Sequence, residues 1–233
     1  MSEYFKANFA SIDLEMNQPS GKIIQIGIAI GSYLNDDPIE SISIIVNPNE
    51  ILSQYIIELT GITQEQVDKG VSLNSAYNEM LAYLRDKNLF INPVTWGGGD
   101  SIQLKEELMK TYPELDMVDW PFGRRWIDAK TEYVGFRIVN GLQPTGGLSK
   151  AMTKVGLNFK GRKHNAKDDA INTLRMWRKL ISMKKLDCEY DDSVSDLCST
   201  CDGSGGVDSG GVTTWMEAIV VPCPECKAKG KLE

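Results

Sequence analysis

A chain of 233 residues, 42% hydrophobic and 24% charged, has the size and balance of a soluble globular protein with one sizeable α/β domain and a small appendage. It holds no apolar run long enough to span a bilayer, and Met1 to Lys6 lacks the basic-then-apolar layout of a secretory signal; an intracellular, cytoplasmic location with no membrane partner is expected. The net charge of −7 argues on average against a nucleic-acid partner, but residues 124 to 185 hold 15 of the 25 basic residues against four acidic ones, a local +11 set against −18 elsewhere.

In chain order, Phe9 to Met16 reads as a strand whose alternation sets Ser11, Asp13 and Glu15 on one side and Ile12, Leu14 and Met16 on the other. Two carboxylates on one strand face repel each other unless a counter-charge sits between them, and Mg²⁺ or Mn²⁺ favours such hard oxygen ligands. The competing reading is a solvated strand edge. Asn17 to Gly21 has a turn composition, Lys22 to Ile30 reads as a strand buried on both faces, and Ser41 to Val46 completes a three-stranded meander with the carboxylate pair on its first strand, which is expected to be central in the sheet. Ile51 to Leu59 reads as a helix closed by Gly61, Thr63 to Gln66 has the form of a capping box, and Asn74 to Leu84 reads as an amphipathic helix.

Leu89 to Trp96 reads as a further strand, confined to an edge or a bulge by Pro93. Gly97, Gly98 and Gly99 follow, and Asp100 precedes a helix from Ser101 to Thr111. It serves there either as an ordinary N-cap with Gln103 at N3 or as a third carboxylate at a strand end. Arg124 to Lys130 is expected to open a helix, Gln143 to Gly147 a loop, and Leu148 to Val155 a short helix. A long helix ends near Met183, with Ala166, Ala170, Leu174, Trp177 and Ile181 as its buried stripe. His164, the only histidine, lies in the Gly-and-Lys loop before it, and Asp169 sits just off the stripe.

The order Asp-x-Glu on the first strand, Asp at a strand-to-helix junction and His-x-x-x-x-Asp entering the last long helix resembles the DnaQ-like 3′-to-5′ exonucleases of the DEDDh type, over roughly residues 5 to 183. Leu59-Thr-Gly-Ile-Thr63, Trp126-Ile-Asp-Ala-Lys130 and Gly161-Arg-Lys-His-Asn-Ala-Lys-Asp-Asp-Ala170 resemble the Eri-type exoribonuclease branch. The resemblance implies an RNase H-like α/β fold, a mixed five-stranded sheet flanked by helices. It also implies hydrolysis of single-stranded RNA or DNA from a free 3′ end, RNA slightly favoured. By the same resemblance, Asp13 would bridge two Mg²⁺ or Mn²⁺ ions, Glu15 and Asp169 would help hold the one serving the attacking water, and Asp100 would act on the other through water. His164 would be the general base, the imidazole being the side chain that changes charge near neutral pH. Such a metal pair supplies the nucleophile and stabilises two oxygens of an in-line attack. Asp168 competes with Asp169 for the fourth carboxylate, and the five-residue spacing from His164 selects Asp169. Around Asp100 the chain reads Trp-Gly-Gly-Gly-Asp, looser than the Asp-Trp-Asp of the Eri-type pattern. Met16, Asn17, Leu59 and Thr60 would lie near the terminal nucleotide.

Beyond Lys185 the composition turns acidic, then to Cys198-Ser-Thr-Cys201 and Cys223-Pro-Glu-Cys226. Two Cys-x-x-Cys knuckles present four thiolates for one structural Zn²⁺, and their flanking glycines resemble the DnaJ-like zinc module. A disulfide pair is the competing assignment, and Cys188 is left as a free thiol. So short a segment cannot bury a sufficient core, so the metal would supply its folding free energy. The expected division is an exonuclease domain over 1–186 and an acidic linker with a zinc module over 187–233. Gly206 to Val221 looks like a hairpin carrying a possible contact surface for nucleic acid or protein.

The rival classes are an adaptor for nucleic acid or protein on an inactive nuclease fold, and a zinc-bearing chaperone cofactor that would leave Asp13, Glu15 and His164 unexplained. Deleting 191–233 separates the first of them from the enzyme: an exonuclease keeps its turnover of short oligonucleotides, whereas an adaptor loses its function.

Overall fold

Nine consecutive residues of the second strand are buried, which happens only when helices cover both faces of a sheet. The structure, a computed structural model, describes residues 7–34, 37–111, 120–143, 146–183, 206–212 and 218–222, the last two spans as backbone only. The chain divides into two units, Met1–Lys185 and Leu186–Glu233.

In the first unit a mixed five-stranded sheet runs in the order β3-β2-β1-β4-β5. Strand β1 (Phe9–Met16) pairs antiparallel with β2 (Ile23–Gly31), and β2 antiparallel with β3 (Glu40–Ile45). On the other side β1 pairs in parallel with β4 (Val94–Thr95), which pairs in parallel with β5 (Ile127–Asp128). The meander and the central place of β1 are as the apolar runs suggest.

Two expected elements differ. Leu89 to Trp96 is not one strand: Leu89 bridges Asn8, the chain bulges, and ladder pairing resumes only at Val94 opposite Ser11. Between these pairings two residues, Phe9 and Ala10, face four on the neighbouring segment, and Pro93, which has no N–H to donate, sits in the excess. Because β5 lies beyond, β4 is internal and Pro93 marks a bulge, not an edge. The helix expected from Arg124 starts instead at Ala129, after Ile127 and Asp128 have paired with Val94 and Thr95.

Helices α1 (Gln54–Thr60), α2 (Gln64–Asp68) and α3 (Leu73–Leu84) follow the meander. Ser53 caps α1, Gly61 ends it in the left-handed conformation, and Thr63 and Gln66 form the reciprocal capping box of α2. Leu73, Ala76, Tyr77, Met80 and Leu84 of α3, with Leu104 and Leu108 of α4 (Gly99–Thr111), pack on the sheet face that carries Ile12, Leu14, Ile26 and Ile28. The opposite face, with Phe9, Ala29 and Val94, takes Ala170, Leu174 and Trp177 of α7 (Ala166–Met183). Helices α5 (Ala129–Val139) and α6 (Leu148–Lys154) pack beside α7 through Tyr133, Ala151, Met152, Met176 and Leu180.

The start of α7 crosses β2 at Gly27, where an added Cβ would overlap the backbone of Ala166 and Lys167. Beside it the buried Gln25 accepts the Ala166 N–H through Oε1 at 2.9 Å and donates through Nε2 to Ser43 Oγ at 2.8 Å, which orders the helix end against the sheet.

The second unit shows an antiparallel pair, β6 (Gly206–Val212) and β7 (Ala218–Pro222), the hairpin expected there. Cys188, Cys198, Cys201, Cys223 and Cys226 lie outside the described residues.

Because Gly27 faces backbone and not a movable side chain, Gly27→Ala is expected to destabilise the protein by about 3 kcal/mol. Urea unfolding followed by Trp fluorescence checks this, and Ala29→Gly serves as a control that adds no atom to the same strand.

Candidate active site

The register of β1 against β2 sets Asp13 opposite Gly27 and Glu15 opposite Gln25, so both carboxylates stand on the sheet face that meets the first turn of α7. Asp13 and Glu15 therefore lie under a helix start and not at a solvated edge. Each is half-buried.

Asp169 enters from that first turn. The preceding loop is folded back on it by two carboxylates with separate tasks. Asp168 Oδ2 accepts the Arg162 N–H at 2.8 Å, and its own N–H donates to Asn165 Oδ1 at 3.3 Å. Gly161, at φ +81°, leaves no space for a Cβ against that carboxylate. Asp169 Oδ2 accepts the His164 N–H at 2.8 Å, while the Asp169 N–H donates to Asn165 O at 2.9 Å. His164 itself adopts φ +57°, a conformation uncommon outside glycine although histidine takes it more readily than most, and the residue is exposed. Donor atoms of Glu15, His164 and Asp169 lie within 4.8 Å of one another. Both acids lie in the first turn of α7, where Asp168 ties down the loop and Asp169 joins the cluster.

Asp100 arrives by the turn that leaves β4. It is not the N-cap expected from sequence, because α4 begins one residue earlier, at Gly99. Nor does Gln103 close a capping box; its Nε2 donates to Gly21 O at 2.9 Å and ties α4 to the start of the second strand. The glycine turn is held by a residue that sequence reasoning assigned to a helix interior. Asp128 Oδ1 accepts the Gly97 N–H at 3.0 Å as well as the Lys130 and Thr131 N–H groups at 2.9 and 3.1 Å, so one carboxylate caps α5 and anchors the turn before Asp100. The available signal was an Asp before a helical stretch with Glu132 in its first turn, in Asp128-Ala-Lys-Thr-Glu132. Gly97 needs its φ of +104°, and Gly98 and Gly99 face open space.

The four acids perturb one another. Asp13 is raised well above the usual carboxylate range, first by burial and then by Asp100, Asp169 and Glu15. Burial, with Asp169 and Asp100, lifts Glu15 to about 8. Asp100 rises to about 7 through burial and Asp169. Burial raises Asp169 to about 6, opposed by the His164 N–H, the imidazole and the Asn165 N–H. Asp13 and Asp100 stand outside the tightest three-residue group but are linked to it by charge. Four desolvated carboxylates and an exposed imidazole match the hard-oxygen preference of Mg²⁺ or Mn²⁺, and a bound cation would remove their repulsion.

Asn17 and Thr60, expected near the terminal nucleotide, have their side chains engaged within the protein. Asn17 Nδ2 donates to Glu50 Oε1 at 2.7 Å and Ile51 O at 3.0 Å, and its Oδ1 accepts the Ser53 N–H at 2.9 Å. Thr60 Oγ1 donates to Ile56 O at 2.8 Å and accepts the Ile62 N–H at 3.0 Å. Met16 and Leu59 pack partly buried against the apolar clusters on the two sides of that segment. These four fix the wall formed by the end of β1 and α1.

A carboxyl such as Glu15, with an ordinary value of 4.5 and a folded value of about 8, makes the folded state bind more protons than the unfolded state between those two values. In EDTA, stability therefore falls as pH rises through that window. Thermal unfolding from about pH 5 to 8 should show the melting temperature dropping. Asp13→Asn should weaken the drop, and excess MgCl₂ should reverse it in the wild type far more than in the variant. A wild-type melting temperature that climbs with pH in EDTA contradicts this account.

Comparison with known proteins bears on the family. Residues 11–177 match the RNase_T family model, described as "Exonuclease". The chain is 33% identical to mouse ERI1 exoribonuclease 2 over 156 residues, 58% of this chain and 22% of that protein, so it spans about a fifth of that relative's length. It is 29% identical to the probable 3′-5′ exonuclease KapD of Bacillus subtilis over 185 residues, 75% of this chain and 84% of that protein. Among solved structures, the nuclease domain of 3′hExo, a DEDDh family member bound to rAMP, superposes with a TM-score of 0.66 at 21% identity, covering 79% of this chain and 96% of that one. With the family model matched over more than half of the chain, and a half-buried carboxylate cluster beside an imidazole within the matched residues, the chain belongs to the RNase_T exonuclease family.

Proposed function

We propose that the chain removes mononucleotides from the 3′ end of single-stranded nucleic acid, RNA in preference to DNA, with Asp13, Glu15, Asp100 and Asp169 holding two Mg²⁺ or Mn²⁺ ions and His164 acting as general base. The observation that carries this reading is the convergence of Glu15, His164 and Asp169 on one space, with Asp13 and Asp100 within electrostatic reach.

When bound, the ions would supply a nucleophile at neutral pH and offset charge developing on the phosphate oxygens. The chain's own part is placement. Burial of Asp13 and Glu15 keeps water from screening their charges, so they favour a cation strongly once deprotonated. The His164 N–H held by Asp169 fixes the backbone of the loop, and the imidazole stays at the surface, where it can take a proton from an attacking water. Arg162, Lys163 and Lys167 take part in no ion pair among the described residues, which leaves positive charge beside the carboxylates for a polyanion. The exoribonuclease names of relatives and the rAMP held by the solved nuclease domain support RNA over DNA.

For the second unit, the spacing of Cys198, Cys201, Cys223 and Cys226 supports one structural zinc and a contact surface for nucleic acid or protein on the β6–β7 pair. Metal analysis of the purified chain should give about one zinc per chain, lost in Cys198→Ser and Cys223→Ser.

Matched RNA and DNA oligonucleotides labelled at the 5′ end test the activity. A ladder of products shortened from the 3′ end is expected with Mg²⁺ or Mn²⁺ and none with EDTA. Asp13→Ala and His164→Ala should each lower the rate by at least about 100-fold; full activity in both variants removes the proposal. Faster loss of DNA than of RNA would reverse the sugar preference alone.

A further inference from the structure

Between the two walls of the site lies a guanidinium that no part of the carboxylate chemistry uses. Arg162 is two residues before His164, and its backbone is held by the Asp168 carboxylate at 2.8 Å. Its side chain extends to the end of α1 and lies on Gly61, where any Cβ would collide with the guanidinium. Gly61 is the left-handed residue that closes α1 in Leu59-Thr-Gly-Ile-Thr63, and its N–H is already used by Ile57 O at 2.8 Å. The guanidinium therefore packs against the Gly61 backbone without a hydrogen bond, and its N–H donors are left over. Arg162 is exposed, and its side chain makes no hydrogen bond and no ion pair among the described residues.

That arrangement is unusual for a structural arginine. Arg178, the buried arginine of this protein, donates through Nε to Ser32 O at 2.6 Å and through Nη1 to Asp37 O at 2.9 Å. Arg162 has its backbone held by Asp168 and its guanidinium packed on Gly61, while its side-chain donors have no protein partner among the described residues. A fork of fixed orientation with free N–H groups matches a phosphate in shape and charge. Restraining it before binding lowers the entropy lost when the ligand arrives. Its position next to the His164 loop also places positive charge beside a cluster that otherwise repels a polyanion.

We propose that Arg162 is a substrate-binding residue that grips a backbone phosphate of the strand near its 3′ end, and that Gly61 is required as the seat of its guanidinium. This rests on the exonuclease reading above.

The test is a steady-state comparison of the full chain with Arg162→Ala and Arg162→Lys on a 5′-labelled RNA oligonucleotide. A set of oligonucleotides carrying one neutral methylphosphonate at successive linkages from the 3′ end accompanies it. Arg162→Ala should raise KM about tenfold with kcat within about twofold, and Arg162→Lys should recover only part of the loss. In the wild type, neutralising one particular linkage should raise KM by a similar factor; in Arg162→Ala that linkage should no longer matter. A purely structural Arg162 predicts a lowered melting temperature with the methylphosphonate pattern unchanged, and that result, or a KM within twofold of wild type, overturns the proposal. Should Arg162→Ala fail to fold, Arg162→Gln keeps the stem over Gly61 and serves the same comparison. If the wild type does not shorten the unmodified strand, the exonuclease reading fails; fluorescence anisotropy of the same oligonucleotides then decides separately whether Arg162 binds phosphate.

Discussion

The close crossing of α7 over β2 at Gly27 is the constraint on which the site depends. Strand residues opposite one another share a face, so the position beside Gly27 on β1 is Asp13. A side chain at Gly27 would lift the start of the helix and carry Asp169 and the His164 loop away from the strand. Gln25 completes the contact by accepting the Ala166 N–H, one of the four that a helix start leaves without an internal partner. The same contact thus supports packing, helix capping and the approach of Asp169 to Glu15.

The cluster assembled there is electrostatically unfavourable by itself. Burial raises all four carboxylates above their ordinary range and neighbouring acids add to it, in a protein that already carries a net charge of −7. Folding around such a group is tolerable because other parts of the chain supply the stability, chiefly the two apolar clusters that cover the sheet. Strain of this kind concentrates where a cation or a proton is meant to bind. Family membership, a mixed five-stranded sheet and the convergence of Glu15, His164 and Asp169 support the proposal that puts the chemistry at this end of β1.

Around the carboxylates, polar residues hold backbone more than they face outward. Asp128 ties the Gly97 turn to α5, Asp168 ties Arg162 to α7, and Asn17 ties β1 to the segment before α1. Each sits in or next to a motif shared with the exonuclease resemblance, yet its side chain is occupied by N–H or C=O groups of the protein. In this chain the motif residues therefore divide into those whose side chains converge on the site and those that shape the loops leading to it.

Local periodicity and spacing determined much of this. Alternation put Asp13 and Glu15 together because a strand has a two-residue repeat, and the apolar run of β2 announced a sheet covered on both sides. The stripe of α7 and the cap of α2 were legible because helix period and capping chemistry are set within a few residues. Tertiary structure alone decided the rest. Leu89 to Trp96 became a bulge with a two-residue strand, and Ile127 and Asp128 became β5, because ladder pairing depends on a neighbour distant in sequence. Asp100 is drawn toward Asp169 by a turn anchored on Asp128, 31 residues from Gly97. The elevated carboxyls and the guanidinium seated on Gly61 arise only when separate segments meet, since desolvation and charge proximity are properties of space and not of sequence order.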